Sequence, residues 1–315
     1  MILAPEVLAI FILNIIFMIF GTIAFILSIR IFLKWDINST SKLQYSLEKQ
    51  SFLTATIVKY IFILKLPLFL FFIFTLDKIS NVLTGAMCAA GVVDATEYGT
   101  YLFILKILNI YLFGFWLSIH YIDIKSESLS KTRLKFGLFI IAFIVFCAEI
   151  VLETIMFSAI DIDKMVSCCG TLYSSSATSA ISSIFLIDTP ILLGIFYTNF
   201  LIIVILYFLK QRYLFSLANL FFIIISIVSL ISWFGTYIYE LPTHHCPFCF
   251  LQKDYYYVGY FIYTFLFIGT FNGLLAGFIG NSNMKYKLSL LFNILYVLLV
   301  SAYPVIFYIR NGVWL

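Results

Sequence analysis

Long runs of apolar residues, separated by short polar segments, dominate the chain. Each run has the roughly 20 residues that an α-helix needs to cross the hydrocarbon core of a membrane. None of the runs alternates apolar and polar positions in the manner of a barrel strand. The pattern therefore predicts eight transmembrane helices, at residues 7–29, 53–75, 101–122, 136–158, 184–208, 213–237, 257–280 and 288–309.

The composition agrees with an integral membrane protein. Of the 315 residues, 63% are hydrophobic and 11% are charged, whereas about 25% of the residues in an average soluble domain are charged. The net charge is +4 without a block of basic residues, which argues against nucleic acid as a partner. We expect an all-α, multi-pass fold whose surroundings are the lipid bilayer.

The positions of Lys and Arg predict the orientation in the membrane. Basic residues concentrate in the loops that remain on the cytoplasmic side. Most of the 19 Lys and Arg residues fall in those loops if the N-terminus lies outside. An even number of spans then places both termini on the non-cytoplasmic side, together with the loops at about 76–100, 159–183 and 238–256. We expect a bacterial inner (plasma) membrane, with these loops facing the periplasm or the exterior.

Five of the six cysteines fall in the three predicted outer loops. Cys88 lies in the first loop, Cys168 and Cys169 in the second, and Cys246 and Cys249 in the third. The outer side of the membrane is the oxidising side, where thiols are readily converted to disulfides. The distribution therefore predicts a site with redox or metal chemistry.

The third loop contains the motif Cys246-Pro-Phe-Cys249, directly after His244 and His245. A C-x-x-C pair offers one attacking and one resolving sulfur, as thiol–disulfide exchange requires. We place the motif at the start of the seventh span, where helix N–H groups and a nearby imidazole would favour a thiolate. In this interpretation Cys246 attacks, Cys249 resolves, and the two histidines tune the attacking sulfur.

The same four side chains also allow a metal site. Two imidazoles and two thiolates, from His244, His245, Cys246 and Cys249, are donors that Zn²⁺ or Cu⁺ accepts. A structural pair of thiols, or a structural disulfide, is the third interpretation. The motif alone does not decide among the three.

The order of motifs in the second half resembles the core of the vitamin K epoxide reductase family. A span is followed by a loop in which Cys169 precedes Ser174 and Ser175, then by two spans, and then by the C-x-x-C motif. The resemblance covers about residues 136–281 and implies a four-helix core. It divides the chain into a three-span region with the Cys88 loop at 1–135, this core, and a final span with a short tail at 282–315.

The resemblance also implies a quinone as cofactor and an extracytoplasmic thiol protein as partner. Electrons would pass from that protein to the loop cysteines, then to Cys246 and Cys249, and then to the quinone. The family usually has two loop cysteines several residues apart, whereas Cys168 and Cys169 are adjacent here. Cys88 is the candidate for the missing second cysteine. We expect it to lie within disulfide reach of the adjacent pair.

Two carboxylates lie within the fourth predicted span. Glu149 and Glu153 are four residues apart and therefore share one face of the helix. Carboxylates inside a membrane are costly and usually mark a functional site. They could transfer protons, bind a metal, or pair with Lys65 or Lys106, which also lie within spans.

Taken together, these features predict a membrane thiol–disulfide oxidoreductase with an outward-facing cysteine site, linked to a quinone. The alternative is a membrane protein that binds or passes copper, zinc or a haem precursor. A further alternative is a non-catalytic subunit of a membrane complex. The first predicts mixed disulfides with other proteins, the second a bound metal, and the third a stable partner that copurifies.

Overall fold

A computed structural model describes residues 3–36, 39–86, 88–126, 129–161, 166, 188–279 and 283–315. These residues are almost entirely helical. The helices are α1 Pro5–Lys34, α2 Lys42–Ser80, α3 Ala89–Asp94, α4 Gly99–Lys125, α5 Thr132–Ala159, α6 Thr189–Leu209, α7 Arg212–Ser229, α8 Gly235–Tyr239, α9 Val258–Ile279 and α10 Asn283–Asn311. A π-helical turn at Leu230–Phe234 joins α7 to α8 without a break.

Within the described residues, eight helical segments are long and apolar enough to cross a membrane, with Arg212–Tyr239 forming one of them. The predicted all-α, multi-pass membrane fold with eight spans is therefore confirmed. Except for the start of the second span, the ends of these segments lie within several residues of their predicted positions. The placement of both termini on the non-cytoplasmic side stays a prediction.

The second span begins well before its apolar run. α2 starts at Lys42, although the apolar pattern predicts a start at residue 53. Ser41 caps the helix, because its hydroxyl accepts a hydrogen bond from the Gln44 N–H at 3.2 Å, which is the usual role of serine at this position. Gln44 and Leu47 are buried, so the polar first turns of α2 also pack against the protein.

The chain forms two compact units, at residues 1–166 and 167–315. In the first unit α5 packs against both α1 and α4, and α1 also packs against α2. Helix α5 thus belongs with the first three spans by its contacts. The order of motifs along the sequence predicts a different division, at 1–135, 136–281 and 282–315, and this division stays a prediction.

A buried ion pair fixes α4 against α5 near the connection between them. Lys135 Nζ lies 2.7 Å from Asp123 Oδ2. The Thr132 hydroxyl donates to the same oxygen at 2.8 Å, and the Lys131 backbone N–H donates to Asp123 Oδ1 at 3.0 Å. These bonds set the register of the two antiparallel helices and so determine which side chains meet deeper in the unit.

In the second unit α9 packs against α7 and α10. The contact face of α9 carries glycine at every fourth position, which allows helices in membranes to approach closely. A methyl group at Gly273 would come within 2.2 Å of the Asn219 side chain on α7. Asn219 in turn accepts a hydrogen bond from Asn293 of α10 at 2.9 Å. The glycines of this face are Gly269, Gly273 and Gly277.

We expect the Gly273→Ala variant to be destabilised by about 1–3 kcal/mol, as is typical of overpacking. The added methyl group would collide with Asn219 and disturb its bond to Asn293. Thermal unfolding of the purified protein in detergent measures the effect. The matched control is Gly194→Ala in α6, where no atom of a described residue lies within 4 Å of the added carbon. Equal melting temperatures for the two variants would contradict this account of the packing.

Candidate functional site

The Cys-Pro-Phe-Cys motif lies in a folded connection between α8 and α9. A 3₁₀ turn begins at Cys249 and a second covers Lys253–Tyr255, whereas α9 begins only at Val258. Tyr256 and Tyr257, with φ of 53° and 56°, interrupt the helical path. The prediction that the motif opens the seventh span is therefore wrong, and the N-terminus of α9 does not act directly on these sulfurs.

Two tyrosine hydroxyls hold the backbone of the motif. Tyr239, at the end of α8, donates to the carbonyl of Cys246. Tyr263, in the first turns of α9, donates to the carbonyl of Pro247 at 2.5 Å. Because the two donors come from the helices on either side, the motif is fixed between the ends of two spans.

Phe250 anchors the same connection in the second unit. Its side chain is fully buried, and its ring stacks on Tyr239 with 4.7 Å between the ring centroids. A methyl group on Gly259 of α9 would come within 2.8 Å of Phe250, and one on Gly235 of α8 within 3.1 Å. The missing side chain at Gly235 leaves room for the end of the ring, and the one at Gly259 leaves room for the Cβ atom and backbone of Phe250.

The two sulfurs of the motif are close together and buried. Cys246 is 3% exposed and Cys249 is 6% exposed, and their Sγ atoms lie within 4.8 Å of each other. A disulfide joins sulfurs at about 2.05 Å. A small rearrangement of the two side chains can therefore connect the sulfurs.

His245 is held by the π-helical turn of the sixth span. Its Nδ1 lies 2.9 Å from the carbonyl oxygen of Ile231. A carbonyl only accepts hydrogen bonds, so Nδ1 carries the hydrogen, and Nε2 is unprotonated in the neutral ring. In the described part of the chain, the sulfurs of Cys246 and Cys249 belong to a group of possible metal-binding atoms that all lie within 4.8 Å of one another. The ring nitrogens of His244 and His245 do not belong to that group.

His244 is partly buried, with its ring edge-on to Tyr239. Burial lowers the pKa of His244 below its ordinary value of 6.5, and the neighbouring His245 lowers it further. His244 is thus neutral at neutral pH.

The structure describes only part of the other two predicted cysteine loops. Cys168, Cys169, Ser174 and Ser175 lie outside the described residues. Cys88 directly precedes α3 and is 1% exposed. Its expected proximity to the adjacent pair of cysteines stays a prediction.

A second candidate site lies within the spans of the first unit, where four charged side chains meet. Lys106 Nζ of α4 lies 2.9 Å from Glu149 Oε1 and 2.9 Å from Glu153 Oε1, both on α5. Lys65 Nζ of α2 lies 3.2 Å from Glu149 Oε1. All four residues are buried. Of the three roles that the sequence allows for the glutamates, the structure shows the ion pairing.

Two asparagines complete this ion cluster. Asn14 of α1 donates to Glu153 Oε2 at 2.7 Å and accepts from Lys65 Nζ at 2.9 Å. Asn109 of α4 donates to Glu149 Oε2 at 2.5 Å. Sequence analysis missed both residues, although a lone amide inside an apolar span is a signal of this kind, since a buried amide needs a polar partner.

Aromatic rings cover the two ammonium groups of the ion cluster. Lys65 Nζ lies 4.3 Å from the centroid of the Phe146 ring, and Lys106 Nζ lies 4.1 Å from that of Phe72. A cation over a ring face gains electrostatic attraction, and more so away from water. The lysines are therefore stabilised on the carboxylate side and on the apolar side.

No family model, curated protein or solved structure matches the chain. The geometry described above gives the two candidate sites different chemical properties. The motif provides two adjacent thiols on a fixed backbone. The ion cluster provides balanced charges inside the membrane-spanning part of the first unit.

Proposed function

We propose that this protein is a membrane thiol–disulfide oxidoreductase in which Cys246 and Cys249 exchange electrons with an extracytoplasmic thiol protein. The observation that supports this most directly is the distance of less than 4.8 Å between the two sulfurs. The hydrogen bonds from Tyr239 and Tyr263 to the carbonyls of Cys246 and Pro247 hold the two thiols next to each other while the connection is closed. A dithiol held in this way can close and open a disulfide with little movement of the backbone.

The exchange proceeds through a mixed disulfide. A partner thiolate attacks Cys246 of the Cys246–Cys249 disulfide, and Cys249 leaves as a thiolate. A second partner thiolate then attacks the mixed disulfide and releases Cys246. The partner dithiol is oxidised to a disulfide, and its two electrons remain in the dithiol of this protein. A quinone, the acceptor that the family resemblance implies, takes the two electrons with two protons, becomes a quinol and restores the disulfide.

The proposed exchange requires the cysteine loops to lie on the extracytoplasmic side of a membrane. We place the protein in a bacterial inner membrane with both termini and the cysteine loops on the periplasmic side. The excess of Lys and Arg in the loops of the opposite side supports this orientation. An oxidising compartment also suits a disulfide that is regenerated after each exchange. Since both sulfurs are buried, the connection at 240–257 must open to admit the partner.

We expect the Cys249→Ala variant to accumulate a covalent adduct with a thiol protein in intact cells. In this variant the Cys246 thiolate can attack the disulfide of an oxidised partner, which is the reverse of the last exchange step, but no Cys249 thiol is present to resolve the mixed disulfide from within the protein. Non-reducing electrophoresis after acid quenching detects the adduct, and mass spectrometry identifies the linked cysteine. Cys147→Ala is the matched control, because Cys147 lies in α5 beside Met18. Absence of an adduct in both Cys249→Ala and Cys246→Ala would contradict the proposal.

Metal handling is the second candidate function, and one observation favours it. Metal-binding histidines commonly donate their other ring N–H to a backbone carbonyl, which orients the ring. The bond from His245 to Ile231 has this form and leaves Nε2 available. The ring nitrogens of His244 and His245 nevertheless do not lie within 4.8 Å of both sulfurs. The four-donor set therefore receives less support from the geometry than the dithiol.

The His244→Gln/His245→Gln variant separates the two functions. We expect the thiols to be alkylated at neutral pH no faster than in the wild type, because His244 is already neutral there and Gln can still donate to Ile231. Alkylation rates and metal content of the purified protein are the two measurements. Metal handling predicts the reverse, since lost ligands would release the metal and unmask the thiolates. One metal ion per wild-type chain, lost in the variant together with faster alkylation, would contradict the dithiol function.

A further inference from the structure

A small cavity lies beside the ion cluster in the first unit. Its volume is about 20 Å³, and roughly 10–15 Å³ is enough for one water molecule. The polar part of its lining consists of the charged members of the cluster and Asn109, and the remainder is apolar, including Phe72 and Phe113. The cavity is therefore large enough and polar enough for a single small ligand.

Two buried oxygen atoms of residues that line this cavity lack a hydrogen bond. Neither Asn109 Oδ1 nor Glu153 Oε1 accepts one from any residue that the structure describes. Asn109 is 1% exposed and Glu153 is 0% exposed. Lys106 Nζ forms an ion pair with Glu153 Oε1 at 2.9 Å. Nearly all buried acceptor atoms in folded proteins accept a hydrogen bond, so we expect a hydrogen-bond donor near these two oxygens.

The lysines of the ion cluster are already engaged elsewhere. Lys65 donates to Asn14 Oδ1 and to Glu149 Oε1, and it faces the ring of Phe146. Lys106 donates to Glu149 Oε1 and faces the ring of Phe72. Lys106 also pairs with Glu153 Oε1 by charge, whereas Asn109 Oδ1 has no donor among the described residues. A molecule inside the cavity can supply that donor.

We propose that this cavity binds one water molecule, which donates its two hydrogens to Asn109 Oδ1 and Glu153 Oε1. A water molecule offers two donors and needs no balancing charge. A metal or ammonium ion fits less well, because two lysines and two glutamates already cancel, and an added cation would leave a net charge within the membrane. The bound water links Asn109 and Glu153 into the hydrogen-bonded network of the cluster and adds a group that can carry a proton.

Radiolytic labelling of the purified wild-type protein tests the proposal. X-ray pulses convert bound water into hydroxyl radicals, which oxidise the side chains that they touch, and mass spectrometry locates the oxidised residues. Phe72 and Phe113 line the cavity and are 1% and 2% exposed. Phe136, which is 0% exposed and is not part of the lining, is the internal control. We expect the two lining rings to be oxidised several-fold faster than Phe136, and equal rates would overturn the proposal.

The Asn109→Leu variant then tests where the water is held. Loss of the amide acceptor should bring the oxidation of Phe72 and Phe113 down to the rate of Phe136. The control is Asn272→Leu, because Asn272 lies in α9 of the second unit and donates to the Ile268 carbonyl of its own helix, and it should leave the labelling of the first unit unchanged. Undiminished labelling in a folded Asn109→Leu protein would overturn the assignment to Asn109. If this variant does not fold, the charge-balanced Lys106→Met/Glu153→Leu variant replaces it, because it removes the acceptor oxygens at position 153, and labelling identical to the wild type would remove Glu153 from the site.

Discussion

The Lys106→Met variant is expected to lose about 3–5 kcal/mol of unfolding free energy, the usual cost of removing one partner from a buried ion pair. Lys106 is the only one of the two cluster lysines that contacts both Glu149 and Glu153. Without it, Lys65 still neutralises Glu149, but Glu153 remains as a buried carboxylate without a paired cation, with a hydrogen bond from Asn14. Denaturant or thermal unfolding in detergent measures the loss.

A charge-balanced double variant provides the sharper test. Lys106→Met/Glu153→Gln removes one positive and one negative charge and leaves the Lys65–Glu149 pair intact, so we expect it to recover most of the stability. Glu6→Gln, which breaks the exposed pair with Lys78 at 3.0 Å, should cost less than about 1 kcal/mol. A loss in Lys106→Met as small as that of Glu6→Gln would mean that the cluster does not stabilise the fold.

The Phe250→Ala variant is expected to destabilise the protein by about 3–5 kcal/mol, as large-to-small changes of buried aromatic residues do. Removal of the ring would leave a new cavity in the second unit, between Gly235 and Gly259, and Tyr239 would lose its stacking partner. Since Tyr239 also holds the carbonyl of Cys246, we expect faster alkylation of Cys246 and Cys249 as well. Unfolding experiments and alkylation kinetics measure the two effects.

Leu241→Ala is the control for this variant, because Leu241 lies in the same connection but is 50% exposed. It should change neither the stability nor the alkylation rate by much. If Phe250→Ala melts earlier but its thiols react at the wild-type rate, Phe250 stabilises the unit without positioning the cysteines.

The spans could be predicted from the sequence because hydropathy and length reflect one physical requirement, the burial of the backbone in lipid. That requirement does not act on polar ends, which is why the first turns of α2, from Lys42, were missed. Pairing of Glu149 with Lys65 and Lys106 could be foreseen as one option, since unpaired charges inside a membrane are costly. Which lysine contacts which oxygen depends on the register of α4 and α5, and no local pattern specifies that register.

The cysteine motif shows a different limit of sequence analysis. Cys246-Pro-Phe-Cys249 looked like the start of a helix, because proline suits a first turn and an apolar run follows. Tyr256 and Tyr257 adopt left-handed backbone conformations, so α9 begins only after them. Tyrosine rarely adopts this conformation, and the sequence therefore did not predict it. The hydrogen bonds from Tyr239 and Tyr263 join residues on two helices, so they depend on how α8 and α9 are placed. The two thiols were recognised as a pair, but their surroundings were not.

The distribution of the ion cluster over separate helices has a consequence for biogenesis. A charged residue at the centre of an isolated span opposes membrane insertion by about 2.5–3.5 kcal/mol. Helices α2 and α4 each bring one cluster lysine into the membrane, whereas α5, which brings both glutamates, is made after them. The cost of the early lysines is offset only when the later carboxylates arrive. The first four spans should therefore leave the translocation machinery as a group, and a nascent chain that stops before α5 should be a substrate for membrane quality control.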